Sequence, residues 1–319
     1  MVRNADEFLI RLTQNARMSD LLLNTPDPRE PLQASFSDAA NPLGLDGIEF
    51  VEYATSKPQA LGQVLEMMGF RPIARHRSRE ILLYRQGGMN IVVNAHAADT
   101  PGASQERPTI SAMALRARDA RAAYRYVLER GAWAVPGHAE VMELNIPAIH
   151  GAGGSRIYFV DRYKEFSIYD VDFVPIPSVE QHPAATAGIR FFGVVQYIGP
   201  NRSNDWIEFY RELFGTELIP DDQRFGIMPK GTLLRTPALD ATQRFMLQLV
   251  EPEPHVLDTG EKLQRIGLGV PDVLAAVQAL RALGVEFVET AAAHTERRGA
   301  ITKTYLGSVV FELVHSGEE

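Results

Sequence analysis

Apolar residues recur along this chain in runs typical of short strands and amphipathic helices. The run GIEFVEYA, which begins at Gly47, alternates in the manner of a strand with two different faces. The next run, KPQALGQVLEMMGF, has helical spacing, with Pro58 near its first turn and Gly69 at its end. Three further apolar runs have the pattern of strands: RPIARHR, EILLYRQ and MNIVVNAH. The pattern therefore predicts a unit of the form βαβββ.

The same order of elements occurs four times. The later units begin at TISAMALRARD, FFGVVQYIG and LQRIGLGVPD, and each continues with a helical run. The second unit closes with two predicted strands, SRIYFVDRY and FSIYDVDFV. The helices end at glycines that favour a left-handed C-terminal cap: Gly69, Gly131, Gly215 and Gly284. Because such units are too long for a solenoid repeat, we expect an α+β protein of four βαβββ modules arranged as two pairs.

Proline-rich and polar stretches mark the predicted boundaries. The stretch VPIPSVEQHPAATAG indicates a linker at residues 179–187, between domains at residues 45–178 and 188–319. Residues 1–44 combine a helical periodicity with a loop-like composition towards their end. They are predicted to form a helical extension and a linker.

Composition narrows the classes of partner. The chain has 319 residues, 45% of them hydrophobic, and a net charge of −8 with acids and bases interleaved. This balance argues against a nucleic-acid partner or an anionic membrane and favours a small molecule or another protein. The chain has no cysteine, which excludes disulfides, thiolate metal sites and cysteine nucleophiles. The N-terminal residues lack the apolar core of a signal peptide, so a cytoplasmic protein is expected.

Several stretches resemble one family. MGFRPIARHRSREILLYRQGGMNIVVN, MELNIPAIHGAGGSRIYFVDRY and SIYDVDFV are similar to the amino-terminal half of 4-hydroxyphenylpyruvate dioxygenases, which belong to the vicinal oxygen chelate superfamily. The resemblance is thinner in the second half of the chain. It implies two vicinal-oxygen-chelate domains with curved mixed sheets. It also implies that two histidines and one glutamate bind Fe(II), which an aromatic 2-keto acid chelates before oxygen adds.

At the three iron-ligand positions that the resemblance implies, this chain has the expected residue at one and different residues at two. The run FEL places Glu312 at the glutamate position, in an apolar strand where a carboxylate needs a partner. The run QRIG places Arg265 at the position of one histidine, and FFGVVQ places Gly193 at the position of the other. Gln196 stands where some members have a further histidine that does not bind metal. The resemblance thus predicts that two of the three ligands are replaced.

Arg265 is the predicted partner of Glu312. Its guanidinium can form two charge-assisted hydrogen bonds with the carboxylate from the neighbouring strand, and its charge repels a divalent ion. Two alternatives stay open: both side chains face solvent, or Arg265 receives the carboxylate of a ligand. Glu312 is the candidate for acid–base chemistry without a metal. The predicted ligand pocket beside it consists of Arg265, Gln248, Tyr197 and Gln196.

Other polar residues are weaker candidates. His255 and His294, in predicted loops, are the residues that can replace the missing ligands, although a loop histidine is more often solvated. A site in the first pair of modules is suggested by four strand residues: Glu49, Glu52, Asn90 and Asn94. Because the resemblance implies no metal there, these four are expected to be structural or exposed.

Three functions remain open at this point. The first is a protein of this family that has lost iron and dioxygenase activity, needs no cofactor and keeps a pocket for a small acidic or aromatic molecule. The second is an active Fe(II) dioxygenase of an aromatic 2-keto acid, with ligands recruited from loops. The third is a partner-binding structural protein. The resemblance also implies a homodimer, by analogy alone.

Overall fold

The computed structural model describes residues 40–95, 107–137, 144–220, 231–253, 260–289 and 299–316. The predicted helical extension lies outside these ranges as far as residue 39. Within them, no helix is both long enough and apolar enough to cross a membrane.

Four modules follow one another along the chain. The first consists of β1 (Ile48–Ala54), α1 (Pro58–Met67), β2 (Arg71–His76), β3 (Ile81–Gln86) and β4 (Met89–Asn94). The second consists of β5 (Thr109–Arg116), α2 (Ala120–Glu129), β6 (Ala148–His150), β7 (Arg156–Val160), α3 (Ile168–Asp172) and β8 (Phe173–Pro175). The third consists of β9 (Arg190–Tyr197), α4 (Ser203–Phe214), β10 (Glu217–Leu218), β11 (Thr232–Arg235) and β12 (Met246–Val250). The fourth consists of β13 (Lys262–Val270), α5 (Val273–Ala282), β14 (Ala300–Ile301) and β15 (Phe311–His315). The predicted α+β class is confirmed.

The strands form a curved mixed sheet with the same arrangement in each pair of modules. The two opening strands of a pair run antiparallel to each other, β1 beside β5 and β9 beside β13. Parallel strands flank them, with β4 and β7 in the first pair and β12 and β15 in the second. The two pairs join where Leu263 of β13 meets Ile110 of β5.

The longer helices cover one face of this sheet. Leu65 of α1, Val127 of α2, Tyr210 of α4 and Leu280 of α5 are all fully buried in the main hydrophobic core. Because side chains alternate along a strand, every second strand residue points into this core and the others point to the opposite side. We call that opposite side the inner face.

The helix-terminal glycines have the predicted backbone. Their φ angles are 92° at Gly69, 88° at Gly131, 69° at Gly215 and 98° at Gly284. In α4 the amide of Gly215 donates to the carbonyl of Arg211 at 2.9 Å, which closes the last turn. The prediction of left-handed caps is therefore confirmed.

One predicted strand is partly a helix. The stretch FSIYDVDFV contains the short helix α3 before the three-residue strand β8. The backbone amide and the hydroxyl of Ser167 donate to the carboxylate of Asp170 at 2.7 and 2.9 Å, which stabilises the first turn of α3. Ile168 and Phe173 then pack onto the inner face of the first pair, in a second and smaller core. The hydrogen bonds of this cap, which a pattern of apolar residues does not reveal, explain why the stretch begins as the helix α3.

Gln86 ties the segment between the two pairs to the first module. Its side-chain amide donates to the carbonyl of Met68 at 2.8 Å and accepts from the amide of Thr186 at 2.7 Å. The side chain is fully buried, so both backbone groups depend on it. The polar segment therefore lies fixed against the end of α1.

We expect Gln86→Leu to lower the free energy of unfolding by about 2 kcal/mol or more, because it leaves two backbone groups without hydrogen bonds. Urea denaturation of the full chain measures this change. The control is Gln63→Leu at an exposed position of α1, which should change the free energy by about 0.5 kcal/mol at most. Equal effects of the two substitutions would contradict the role of Gln86.

Candidate functional site

Strand register brings the predicted site residues together on the inner face of the second pair. Gly193 of β9 lies opposite Gly267 of β13, which in turn lies opposite Glu312 of β15. Arg265 of β13 and Gln248 of β12 lie on either side of the next inner-face position of β9. Since side chains alternate along each strand, these residues all face the same way.

Arg265 and Glu312 form a buried ion pair. The Nε atom of Arg265 donates to Oε2 of Glu312 at 2.9 Å, and the two side chains are 3% and 5% exposed. The Nη1 atom donates to the side chain of Gln264 at 2.9 Å. The Nη2 atom is buried and has no hydrogen-bond partner within the described part of the chain. The predicted pairing is thus confirmed and the solvent-facing alternative is wrong, but Arg265 supplies one hydrogen bond to the carboxylate rather than two.

This ion pair adds little to the stability of the fold. It constrains both side chains, because each buried charge requires the other. Each charge loses several kcal/mol, as an order of magnitude, when it leaves water, and the attraction between the charges offsets this only when further hydrogen bonds are made. One donor group of Arg265 lacks such a bond. Removal of Arg265 would leave Glu312 buried without its cation, and removal of Glu312 would leave the charge of Arg265 buried and uncompensated.

The position of Gly193 has no space for a side chain. A Cβ atom added there would lie 2.4 Å from the carbonyl oxygen of Met246, closer than such atoms approach in proteins. Because Met246 belongs to the paired strand β12, relief of this contact requires movement of backbone. A histidine at this position would therefore require β9 and β12 to separate.

These residues do not fit the Fe(II) site that the resemblance implies. Such a site needs three donor side chains on one side of the metal. Here the first position is Gly193, the second is a guanidinium without a lone pair to offer, and the third is the carboxylate already bonded to it. No group of three His, Cys, Asp or Glu side chains among the described residues is placed to hold a metal. The loop candidates His255 and His294 lie outside the described residues.

The space beside Glu312 is small. A cavity of about 30 Å³ is lined by Glu312, Gln248, Gly193 and neighbouring apolar residues. This volume holds about one or two water molecules.

Three of the predicted pocket residues do not line this cavity. Gln196 is fully buried on the helix side of the sheet, where its Oε1 atom accepts from the hydroxyl of Tyr210 at 2.5 Å. An odd separation of three residues from Gly193 places it on the opposite face, so its assignment to the pocket is wrong. Tyr197 lies at the end of β9, opposite Lys262. Arg265 does not line the cavity, although it forms the ion pair with Glu312.

A larger cavity lies on the inner face of the first pair. Its volume is about 660 Å³, and Glu49, Arg85, Asn90 and Arg116 line one part of it. Glu49 and Asn90 are 2% and 4% exposed and are hydrogen-bonded to each other, so the expectation of a structural role is confirmed. Their place in the wall of a cavity was not predicted. The sequence signal for this cavity was a set of polar residues at matching places on four adjacent strands.

The polar residues of this wall form one network. Arg116 donates from Nε to Oε2 of Glu49 at 2.6 Å, and Asn90 donates from Nδ2 to Oε1 of Glu49 at 3.1 Å. Arg85 donates from Nε to Oδ1 of Asn90 at 2.8 Å. Burial raises the pKa of the Glu49 carboxyl above its ordinary value, while the Arg116 guanidinium opposes the shift. Two cations and one carboxylate thus share a partly dry wall.

Comparison with family models divides the chain in two. Residues 39–174 match the model described as hydroxyphenylpyruvate dioxygenase, HPPD, N-terminal. Residues 197–307 match the glyoxalase/bleomycin resistance protein/dioxygenase superfamily.

Individual relatives extend this similarity along most of the chain. A solved structure of a xylose isomerase-like TIM barrel/4-hydroxyphenylpyruvate dioxygenase fusion protein has a similar fold, with a TM-score of 0.68 at 23% identity over 97% of this chain. This chain spans about half, 54%, of that structure. Hemolysin VllY of Vibrio vulnificus (strain CMCP6) is 35% identical over 270 residues, 79% of this chain and 74% of that protein. The 4-hydroxyphenylpyruvate dioxygenase of Pseudomonas sp. (strain P.J. 874) is 33% identical over 262 residues, 78% of this chain and 72% of that enzyme. With this fold and this shared sequence, the chain belongs to the 4-hydroxyphenylpyruvate dioxygenase family.

Proposed function

We propose that this chain is a family member that has lost iron binding and dioxygenase activity, and that it binds a small acidic or aromatic molecule. The observation that carries the proposal is the buried ion pair between Arg265 and Glu312. It puts a fixed cation at one ligand position and engages the carboxylate at another. The proposed protein needs no cofactor.

A ferrous ion at this place would have to displace the ion pair. Glu312 would have to leave Arg265, and a buried cation without its partner costs about 3–5 kcal/mol. The same guanidinium would then lie beside a divalent cation and repel it. Gly193 offers no replacement ligand and no space for one. All three ligand positions therefore support the loss of iron.

The ligand class of the proposal follows from the family and from the charge of the chain. The Pseudomonas relative carries the name of an aromatic keto-acid enzyme, which supports an acidic or aromatic molecule. A net charge of −8 supports a small-molecule partner over nucleic acid. A cytoplasmic location and a homodimer belong to the same proposal.

The first test is iron content together with oxygen uptake. The full chain is loaded anaerobically with Fe(II), freed of excess metal, and assayed for bound iron and for oxygen uptake on 4-hydroxyphenylpyruvate. We expect far less than one iron per chain and no uptake above a blank without protein, because the ligand positions hold a cation and a glycine. The Pseudomonas relative, treated in parallel, controls for the loading procedure.

Stoichiometric iron with turnover would overturn the proposal. The protein would then be an active dioxygenase that recruits its ligands elsewhere, and His255→Ala and His294→Ala would be the next variants to assay for iron. If iron binds without turnover, the proposed loss of iron binding is contradicted, but the proposed loss of dioxygenase activity is not.

The second test addresses the ion pair itself. We expect Arg265→Met to lower the free energy of unfolding by about 3–5 kcal/mol, because Glu312 is left buried without its cation. The double variant Arg265→Met/Glu312→Leu should recover most of this loss, since two apolar side chains replace both charges. Urea denaturation of both variants and the parent chain gives the three values.

The control for charge removal alone is Arg71→Met at an exposed position of β2, where we expect a change of about 0.5 kcal/mol at most. An equally small loss in Arg265→Met would mean that the two charges do not depend on each other. The explanation for the loss of iron would then fail.

A further inference from the structure

The large cavity of the first pair differs from the small one of the second in size and in construction. Its volume of about 660 Å³ lies within the range of about 300–1,000 Å³ that is usual for small-molecule sites. The strands β1 to β5 form its floor, while α3, β8 and the segment around Gln181 form its sides. Elements far apart in the sequence therefore enclose it.

Arg85 is held in this cavity by neutral groups. Its Nε atom donates to Asn90, its Nη1 atom donates to the carbonyl of Gln181 at 3.2 Å, and its guanidinium lies 5.5 Å from the ring centre of Tyr169. In the described part of the chain no carboxylate forms an ion pair with Arg85 and its Nη2 atom has no hydrogen bond. The side chain is thus fixed in place with its charge only partly offset.

The neighbouring charges do not neutralise Arg85. Glu49, the buried carboxylate of the network, is bonded to Arg116 at 2.6 Å and influences Arg85 only at longer range. Four exposed charges at the rim are balanced in sign: Arg77, Lys164, Glu165 and Asp170. Among the described residues of this part of the wall, two partly buried guanidinium groups face one buried carboxylate, which leaves a surplus of one positive charge. A partly desolvated surplus cation favours an anionic ligand.

The other side of the cavity is apolar. Ile73, Leu83 and Phe173 line it and are 2%, 0% and 8% exposed. Polar and charged side chains line most of the remaining wall, so the apolar surface is confined to this side. The cavity therefore suits a molecule with a charged end and an apolar body.

We propose that the cavity of the first pair binds a small organic carboxylate with an aromatic or apolar body, with its carboxylate on Arg85. Arginine presents planar paired donors that match a carboxylate, and the Nη groups of Arg85 are the ones not bound to Asn90. The inference shares the ligand class of the proposed function but not its residues. The iron assay and a binding assay can therefore fail independently.

Gly88 offers a way to block the cavity without touching Arg85. This residue lies in the turn between β3 and β4 and lines the cavity. A Cβ atom added to Gly88 would meet no atom within 4 Å, and its φ lies outside the left-handed region. A large side chain at this position would therefore enter open space rather than strain the fold.

The test is a calorimetric titration of the full chain with phenylacetate, and with phenylacetamide as the uncharged analogue. We expect saturable binding of phenylacetate and binding of the amide that is weaker by about tenfold or more, since a charge-assisted hydrogen bond is lost. Arg85→Met should weaken phenylacetate binding by about tenfold to a hundredfold for the same reason. Gly88→Phe should weaken it comparably by filling the space.

The matched control is Arg75→Met, an exposed arginine of β2 that does not line the cavity, and it should bind phenylacetate like the parent chain. Thermal unfolding checks the fold of each variant. If Arg85→Met does not fold, the phenylacetate affinity of Gly88→Phe tests whether the ligand binds in the cavity. The proposal is overturned if the parent chain shows no saturable binding, if the amide binds equally well, or if both cavity variants keep the parent affinity.

Discussion

The antiparallel pairing of β9 with β13 is the contact on which the second pair of modules depends. Gly193 and Gly267 face each other across it, and a Cβ atom on Gly267 would lie 3.5 Å from the backbone oxygen of Gly193. On the other side of β9 the carbonyl of Met246 takes the space that a side chain at position 193 would need. Backbone therefore fills the place where a metal ligand would project. Arg265 and Glu312, at the other two ligand positions that the resemblance implies, form an ion pair with each other.

The two pairs of modules share an arrangement of strands but differ in how far their buried charges are compensated. In the second pair one cation meets one anion beside a cavity of about 30 Å³, so the charges compensate each other within the protein. In the first pair the described residues that line a cavity of about 660 Å³ include Arg85, Arg116 and one buried carboxylate, Glu49. An internally compensated pair has little to offer a ligand, whereas a fixed and partly uncompensated guanidinium does. Ligand binding is thus proposed for the first pair of modules, where the resemblance to the family implies no metal.

Family membership and site chemistry carry different information about this protein. The relatives establish the fold and the family, because similarity extends over most of the chain. The chemistry depends on a few positions on the inner face, and one sheet can carry different residues at them. Family membership therefore establishes the scaffold of this chain, while its activity has to be argued from those positions.

The sequence by itself determined the modules, their order, the glycine caps of the helices and the partnership of Arg265 with Glu312. The modules and the caps depend on local periodicity and on backbone conformations that favour glycine. The need of Glu312 for a counter-charge follows from its apolar strand, whereas the choice of Arg265 as its partner came from the resemblance to the family. The face of Gln196 was also within reach, because a separation of three residues from Gly193 reverses the direction of a side chain. The helix in FSIYDVDFV was within reach as well, because its cap joins Ser167 and Asp170, three residues apart. Only the tertiary structure decided that this helix packs against the inner face, that Gly193 has no space for a side chain, and that Arg85 and Gln181 line a large cavity together. Each of these depends on the distance between elements far apart in the chain, and a pattern along one strand contains no such distance.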